Sequence, residues 1–269
     1  SPTAAQGEAR RASRVHMRHN DRSNGPCDPQ AGDAVALFLG LYLGHVLGDF
    51  VFQPGRLVIA KRQRETAVVL HTVIVTLATA IVLLGSLERT WPALLFAGVA
   101  HFIVEHLTIR ARQSPGASNV TVFLLDQALH VVTLAIIAAV GLSIQARPVI
   151  VVWPVSLHLL ALACAVATVA FGGSILVFEV QVALDRDSIG TDPILELDAA
   201  RLYGFAERGG ALLAAFALPG PALGLLVFVP RLLYVALGPA EHRRPQLIAV
   251  GLGVMLCVVG WALVSAVST

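Results

Sequence analysis

Apolar positions run almost unbroken along the chain, in stretches at about 34–52, 67–87, 92–109, 119–142, 149–171, 200–218, 222–237 and 247–266. A hydrocarbon slab of ~30 Å takes about 20 helical residues to cross, so each stretch predicts a membrane helix, with tolerance for shorter spans packed inside protein. The stretches are rich in Leu, Val and Ala and lack the period-two polar alternation of a barrel wall, which favours helices over strands. The expected architecture is therefore all-α, a polytopic transmembrane helical bundle of seven or eight spans. Pro and Gly mark breaks at Gln53-Pro54-Gly55, Ser114-Pro115-Gly116, Pro219-Gly220-Pro221 and Gly238-Pro239. The mixed stretch from about Gly172 to Ala199, with Asp185, Asp187, Asp192 and Glu196, predicts a long loop holding a short helix.

Residues 1–32 break this pattern. They are polar, carry Arg10, Arg11, Arg14, Arg18 and Arg22 and show no apolar periodicity, so they read as a disordered tail rather than a cleavable signal. Residues 33–148 then form a four-helix membrane unit bearing His, Asp and Glu. Residues 149–269 form a set of C-terminal membrane helices with an Arg/Glu cluster.

Composition agrees with a lipid solvent: 56% of residues are hydrophobic and 13% charged, and the mean hydropathy is +0.76. That leaves no room for a sizeable soluble domain. A formal net charge of +2 is too small to imply a nucleic-acid partner. Cys27, Cys164 and Cys257 lie far apart without a CxxC spacing, which argues for neither a disulfide framework nor a thiolate metal site. Lys and Arg collect on one side of the expected bundle, in the loops holding Arg56, Lys61, Arg62 and Arg64, then Arg110 and Arg112, then Arg243 and Arg244; the other side has Arg89 and Arg147. The richer side is expected to be cytoplasmic, although the Arg-rich tail would then lie outside, against the same rule.

Against this apolar background the ionisable residues fall into register. His45 and Asp49 stand four apart in the first span, His101 and Glu105 in the third and Asp126 and His130 in the fourth, so each pair shares a helical face. His71 lies near the start of the second span. Successive helices run in opposite directions, and the groups alternate between span ends and span starts. At 1.5 Å per residue all seven fall within roughly two turns of one membrane face. Ionisable groups at such depth turn inward to pair, to line a polar cavity or to hold an ion. Imidazole and carboxylate donors in this number suit a divalent metal, zinc first with iron or manganese close behind. Seven candidates exceed one tetrahedral shell, so a dinuclear site or ligands backed by supporting partners are both open. The competing readings are a metal-free proton-handling network and plain structural polar packing. His106 and His158 read as isolated packing residues.

A second polar group follows in ARLYGFAER, with Arg201, Glu207 and Arg208, and in VPRLL, with Arg231. Arg208 and Arg231 are candidates for binding an anion such as phosphate or carboxylate; the alternative is internal pairing of Arg231 with Glu207.

These residues carry a family resemblance. HVLGDFVFQ followed by Lys61, then His71, HFIVEH and DQALH, and later ARLYGFAER with a basic residue in the next helix, resemble the bacterial integral membrane family called domain of unknown function 3307. The likeness takes in most of the chain beyond the tail and departs at Glu105, where the family usually has Asp, and at Arg110, where it has Lys. It implies a polytopic helical fold in a bacterial inner membrane and marks the same polar residues; it brings no activity. The site therefore has to carry the function. The expectation is a membrane-embedded metal-dependent enzyme, a hydrolase for a small amphipathic or lipid-linked substrate reached from the cytoplasmic side. His45, Asp49, His101, Asp126 and His130 are the expected ligands, Glu105 a ligand or general base, and His71 a ligand or proton shuttle. The alternatives are a transporter for metal ions or coupled to protons, and a membrane scaffold stapled by a structural metal.

Overall fold

The computed structural model describes residues 29–144, 156–184 and 199–267, and these are helical with short connections. Helix α1 (Pro29–Val46) passes into a π-turn at Leu47–Val51 and is followed by the short α2 (Gly55–Lys61), then α3 (Glu65–Val82), α4 (Leu87–Arg112) and α5 (Asn119–Ile144). A second π-turn, Thr168–Gly172, joins α6 (Leu157–Ala167) to α7 (Gly173–Leu184). Then come α8 (Ala199–Ala217), a 3-10 turn at Pro221–Phe228, α9 (Val229–Leu237) and α10 (Ala240–Val267).

Six helices among the described residues are long and apolar enough to cross a membrane: Gly32–Val51, Glu65–Val82, Leu84–Arg112, Asn119–Gly141, Leu157–Leu184 and Ala240–Val267. Their outward faces carry large apolar side chains, with Ile81 and Phe96 both 64% exposed. A water-soluble surface would not gather so much apolar area, and lipid accepts it at no cost. The count differs from the expected seven or eight for identifiable reasons. The stretch at 200–218 is a helix, but Arg201, Glu207 and Arg208 in its first half make it too polar for a span. The stretch at 222–237 is split between a 3-10 turn and a short helix that begins near Pro230 and ends at Gly238. The fifth span starts later than expected and runs on to Leu184, because the chain passes Gly172 in a π-turn and resumes the α-helix at Gly173 instead of leaving it. Of the expected loop at 172–199 the first part is thus helical, and residues 185–198 lie outside the described residues, as do residues 1–28 of the expected tail with Cys27; residues 29–32, expected to end the tail, open α1 instead.

Helix α1 is the hub. Leu37 and Leu41 pack toward Leu83 just past the end of α3, Ala97 on α4 and Leu134 on α5, while Leu39 turns the other way toward Leu160, Cys164 and Val264 on α6 and α10. A helix apolar all round is one buried on all sides. Its glycines decide how close α3 comes. A Cβ added at Gly48 would lie 2.6 Å from the Cα of Val75, and one at Gly44 would collide with the backbone of Thr79. Small residues every fourth position let two membrane helices meet at backbone distance, and this crossing carries Asp49 up to α3. Gly48→Val is accordingly expected to lower the thermal midpoint and the metal content of the purified protein together. Gly251→Ala, where an added Cβ meets nothing within 4 Å, should leave both unchanged or gain up to about 1 kcal/mol of helix propensity. Equal behaviour of the two variants would remove the close crossing from the account.

Candidate metal centre

Four helices converge on one level. His45 ends α1, Asp49 sits in the π-turn, His71 lies two turns into α3, His101 and Glu105 lie in the second half of α4, and Asp126 and His130 in the first half of α5. All seven are buried, His71 completely. The imidazoles form a stack: ring centroids are 4.4 Å apart for His45 and His130, 4.7 Å for His101 and His130, and 5.0 Å for His71 and His101.

The π-turn changes how the first pair works. Phe52 N–H donates to the carbonyl of Leu47 at 2.9 Å, a bond that spans five residues and widens the turn. Asp49 is thereby rotated away from the plain four-residue alignment with His45, which lies 3.7 Å from it. It meets His71 instead, with Oδ1 2.8 Å from Nε2, yet the two atoms lie off the line of a hydrogen bond.

Unpaired nitrogens are the most telling feature. His45 Nε2, both nitrogens of His71, both nitrogens of His101 and His130 Nε2 are buried and have no hydrogen-bond partner in the protein. Each orphaned polar atom costs ~1–3 kcal/mol, so gathering them at one point is strongly unfavourable unless something else engages the one lone pair that each neutral ring carries. A cation does so. Among the described residues two groups of donor atoms have the compactness an ion needs: His45, His101 and His130, and Asp49, His71, His101 and Glu105, with the atoms of each group within 4.8 Å of one another. His101 belongs to both. His130 is already set as a ligand, because its Nδ1 donates to the carbonyl of Asp126 at 2.9 Å and this leaves the Nε2 lone pair free. The residues present therefore fit a divalent ion bound by nitrogen and oxygen.

The helices that supply these donors form a continuous stretch of sequence. Residues 37–153 match the family "Protein of unknown function (DUF3307)". The DUF3307 segment holds every donor of both groups and meets the expected resemblance there, whereas the ARLYGFAER segment lies beyond it. No curated protein and no solved structure matches the chain.

Within the DUF3307 segment, Asp126 stands apart from the other expected ligands. Thr108 Oγ1 donates to its Oδ1 at 2.9 Å and Gln127 Nε2 to its Oδ2 at 2.9 Å, and it is in neither donor group. It lines a cavity beside the site and, through its backbone carbonyl, positions His130. Asp126→Asn is expected to keep the metal and to lose about 1 kcal/mol of stability, since an amide cannot accept both hydrogen bonds; metal content falling as far as in a histidine variant would make Asp126 a ligand after all.

Lys61 was expected to be a loop charge that marks topology, and its role is different. It is buried, with Nζ 2.7 Å from Glu105 Oε1. Gln53, in the orientation that satisfies its amide, donates to the backbone carbonyl of Asp49 at 2.9 Å and accepts from Lys61 Nζ at 3.0 Å. The break at Gln53-Pro54-Gly55 and the short α2 are what fold Lys61 back onto the site. Only its place in the motif after HVLGDFVFQ hinted at this.

A cavity of about 800 Å³ opens next to the cluster, with Asp49, Glu105, Asp126 and Lys61 on its wall. Arg208 and Arg231, the expected anion binders, do not line it. Arg231 Nε makes 2.8 and 2.9 Å bonds to the carboxylate of Glu207 and lies over the ring of Tyr203. Buried Arg208 donates to Ser174 and to the carbonyl of Ala170. A buried carboxylate on the same helix as Arg208 thus captures Arg231, as the pairing alternative anticipates. The arginines on the cavity wall are Arg62, Arg112 and Arg201. Cys164 and Cys257 are buried free thiols donating to backbone carbonyls, while His158 and His106 rest against Phe216 and Phe102.

Proposed function

We propose that this chain is a membrane-embedded metal-dependent enzyme, a hydrolase that takes an amphipathic or lipid-linked substrate from the cytoplasmic face of a bacterial inner membrane. The observation that carries the proposal is the set of buried, unpartnered imidazole nitrogens packed against Asp49 and Glu105 at the wall of a substrate-sized cavity. Ligand pockets of small molecules run to ~300–1,000 Å³, and this one, at about 800 Å³, lies in that range. Zinc is the first choice of ion, with iron or manganese next, because mixed imidazole and carboxylate donors serve all three. When bound, the ion supplies Lewis-acid polarisation and acidifies water toward neutrality. The chain's own residues do the remainder. Glu105 reaches the cavity as the candidate general base, and His71 Nε2, 3.8 Å from Glu105 Oε2, is close enough to exchange a proton with it through one water.

The test is turnover by detergent-purified protein on a panel of ester and phosphoester amphiphiles, before chelation, after it, and after reloading with zinc, manganese or iron. Turnover lost on chelation and restored by one metal is the expected result. Absence of turnover, together with a gradient-dependent ion flux in proteoliposomes, would move the site to a transporter.

A further inference from the structure

The wall of the large cavity is divided by chemistry. Phe50, Phe123, Phe171, Phe178 and Phe205 supply an aromatic lining contributed by four separate parts of the chain. Among the described residues the charged part of the wall is balanced: the carboxylates are Asp49, Glu105, Asp126 and Glu179, and the cations are Lys61, Arg62, Arg112 and Arg201, four of each. Lys61 meets Glu105 at 2.7 Å and Arg112 meets Glu179 at 3.1 Å.

A divalent ion on Asp49 and Glu105 upsets that balance in two ways. The wall gains two positive charges in a region of low dielectric, where uncompensated charge is costly. The ion also draws on the carboxylate that Lys61 holds, because Glu105 meets Lys61 through Oε1 and belongs to one of the donor groups. Lys61 then keeps Gln53 as a partner, but an ammonium has three donors to satisfy, and its position on the wall directs them into the cavity. A ligand that carries negative charge, reaches the ion and Lys61 together, and continues as an apolar chain along the phenylalanines satisfies all of this at once. A tetrahedral oxyanion is better suited than a planar carboxylate, since its oxygens point toward two cationic partners in different directions and its charge approaches the excess of two.

We propose that the cavity binds an amphiphile with a phosphate-type headgroup, the phosphate held between the metal and Lys61 and the hydrocarbon lying over the phenylalanine wall. This rests on the metal reading above, and the experiment separates the two. Wild-type protein in non-ionic detergent, its metal content measured on the same sample, is titrated with dioctanoyl phosphatidic acid, with neutral dioctanoylglycerol and with inorganic phosphate, before and after chelation. The phosphatidic acid is expected to bind at least roughly tenfold more tightly than either of the others, as one charge-assisted contact would provide. Chelation should bring its affinity down to that of dioctanoylglycerol. Lys61→Met should do the same at unchanged metal content, and Lys61→Arg should restore part of the difference. Metal-bearing protein that binds the charged and neutral amphiphiles equally overturns the inference and leaves the metal reading standing. Inorganic phosphate binding as tightly as the phosphatidic acid overturns the amphiphile and keeps the oxyanion. Protein with no metal overturns both. If Lys61→Met does not fold, the ligand panel on the wild type decides the matter.

Discussion

On the proposed metal reading, His101→Ala is expected to lower affinity for a divalent ion by more than about a hundredfold. His101 is the one residue common to both donor groups, and both of its nitrogens are buried without a partner in the protein. Removing it therefore weakens either ion position, whichever is filled. His130→Ala tests the converse, because His130 belongs only to the all-imidazole group; the ion should persist if it sits on Asp49, His71 and Glu105. Elemental analysis of wild type and both variants, beside circular dichroism to confirm that the helices form, reads out the result. Wild-type and His101→Ala proteins with equal metal content, including equal zero, would end the case for a metal centre. The stack would then be a proton-handling network or polar packing.

The second large effect is expected away from the site. Arg231→Met should destabilise the protein by about 3–5 kcal/mol, because Glu207, buried at 3% exposure, loses the guanidinium bonded to both of its oxygens. The double variant Arg231→Met with Glu207→Leu should recover most of that loss, since replacing both members of a buried pair is far cheaper than orphaning one. Thermal unfolding in detergent compares the three proteins. A loss below about 1 kcal/mol for the single variant would place the pair in the range of solvated ion pairs and reopen an anion-binding role for Arg231.

How much of this was legible beforehand differs by residue. The apolar runs announce helices and a membrane because each peptide group in lipid must find its partner within its own segment, a constraint that acts on local composition. The common depth of His45, His71, His101 and His130 was equally readable, since antiparallel helices of known rise convert sequence position directly into height. Span number was less so. Whether Ala199–Ala217 crosses the bilayer depends on where Arg208 and Glu207 find partners, and those partners, Ser174 and Arg231, come from other helices.

Partnership within the site also escaped the linear reading. Two residues four apart on an ideal helix were expected to act as a pair, but the π-turn at Leu47–Val51 hands Asp49 to His71 on the neighbouring helix. Lys61 looked like a loop charge, and the short helix Gly55–Lys61 brings it against Glu105. The residue types, their spacing and their level in the bilayer were written along the chain, because composition and helical rise are local properties. Which atoms are already hydrogen-bonded, which nitrogens are left bare and which cations face the cavity depend on helices distant in sequence packing at backbone contact, and no local pattern encodes that.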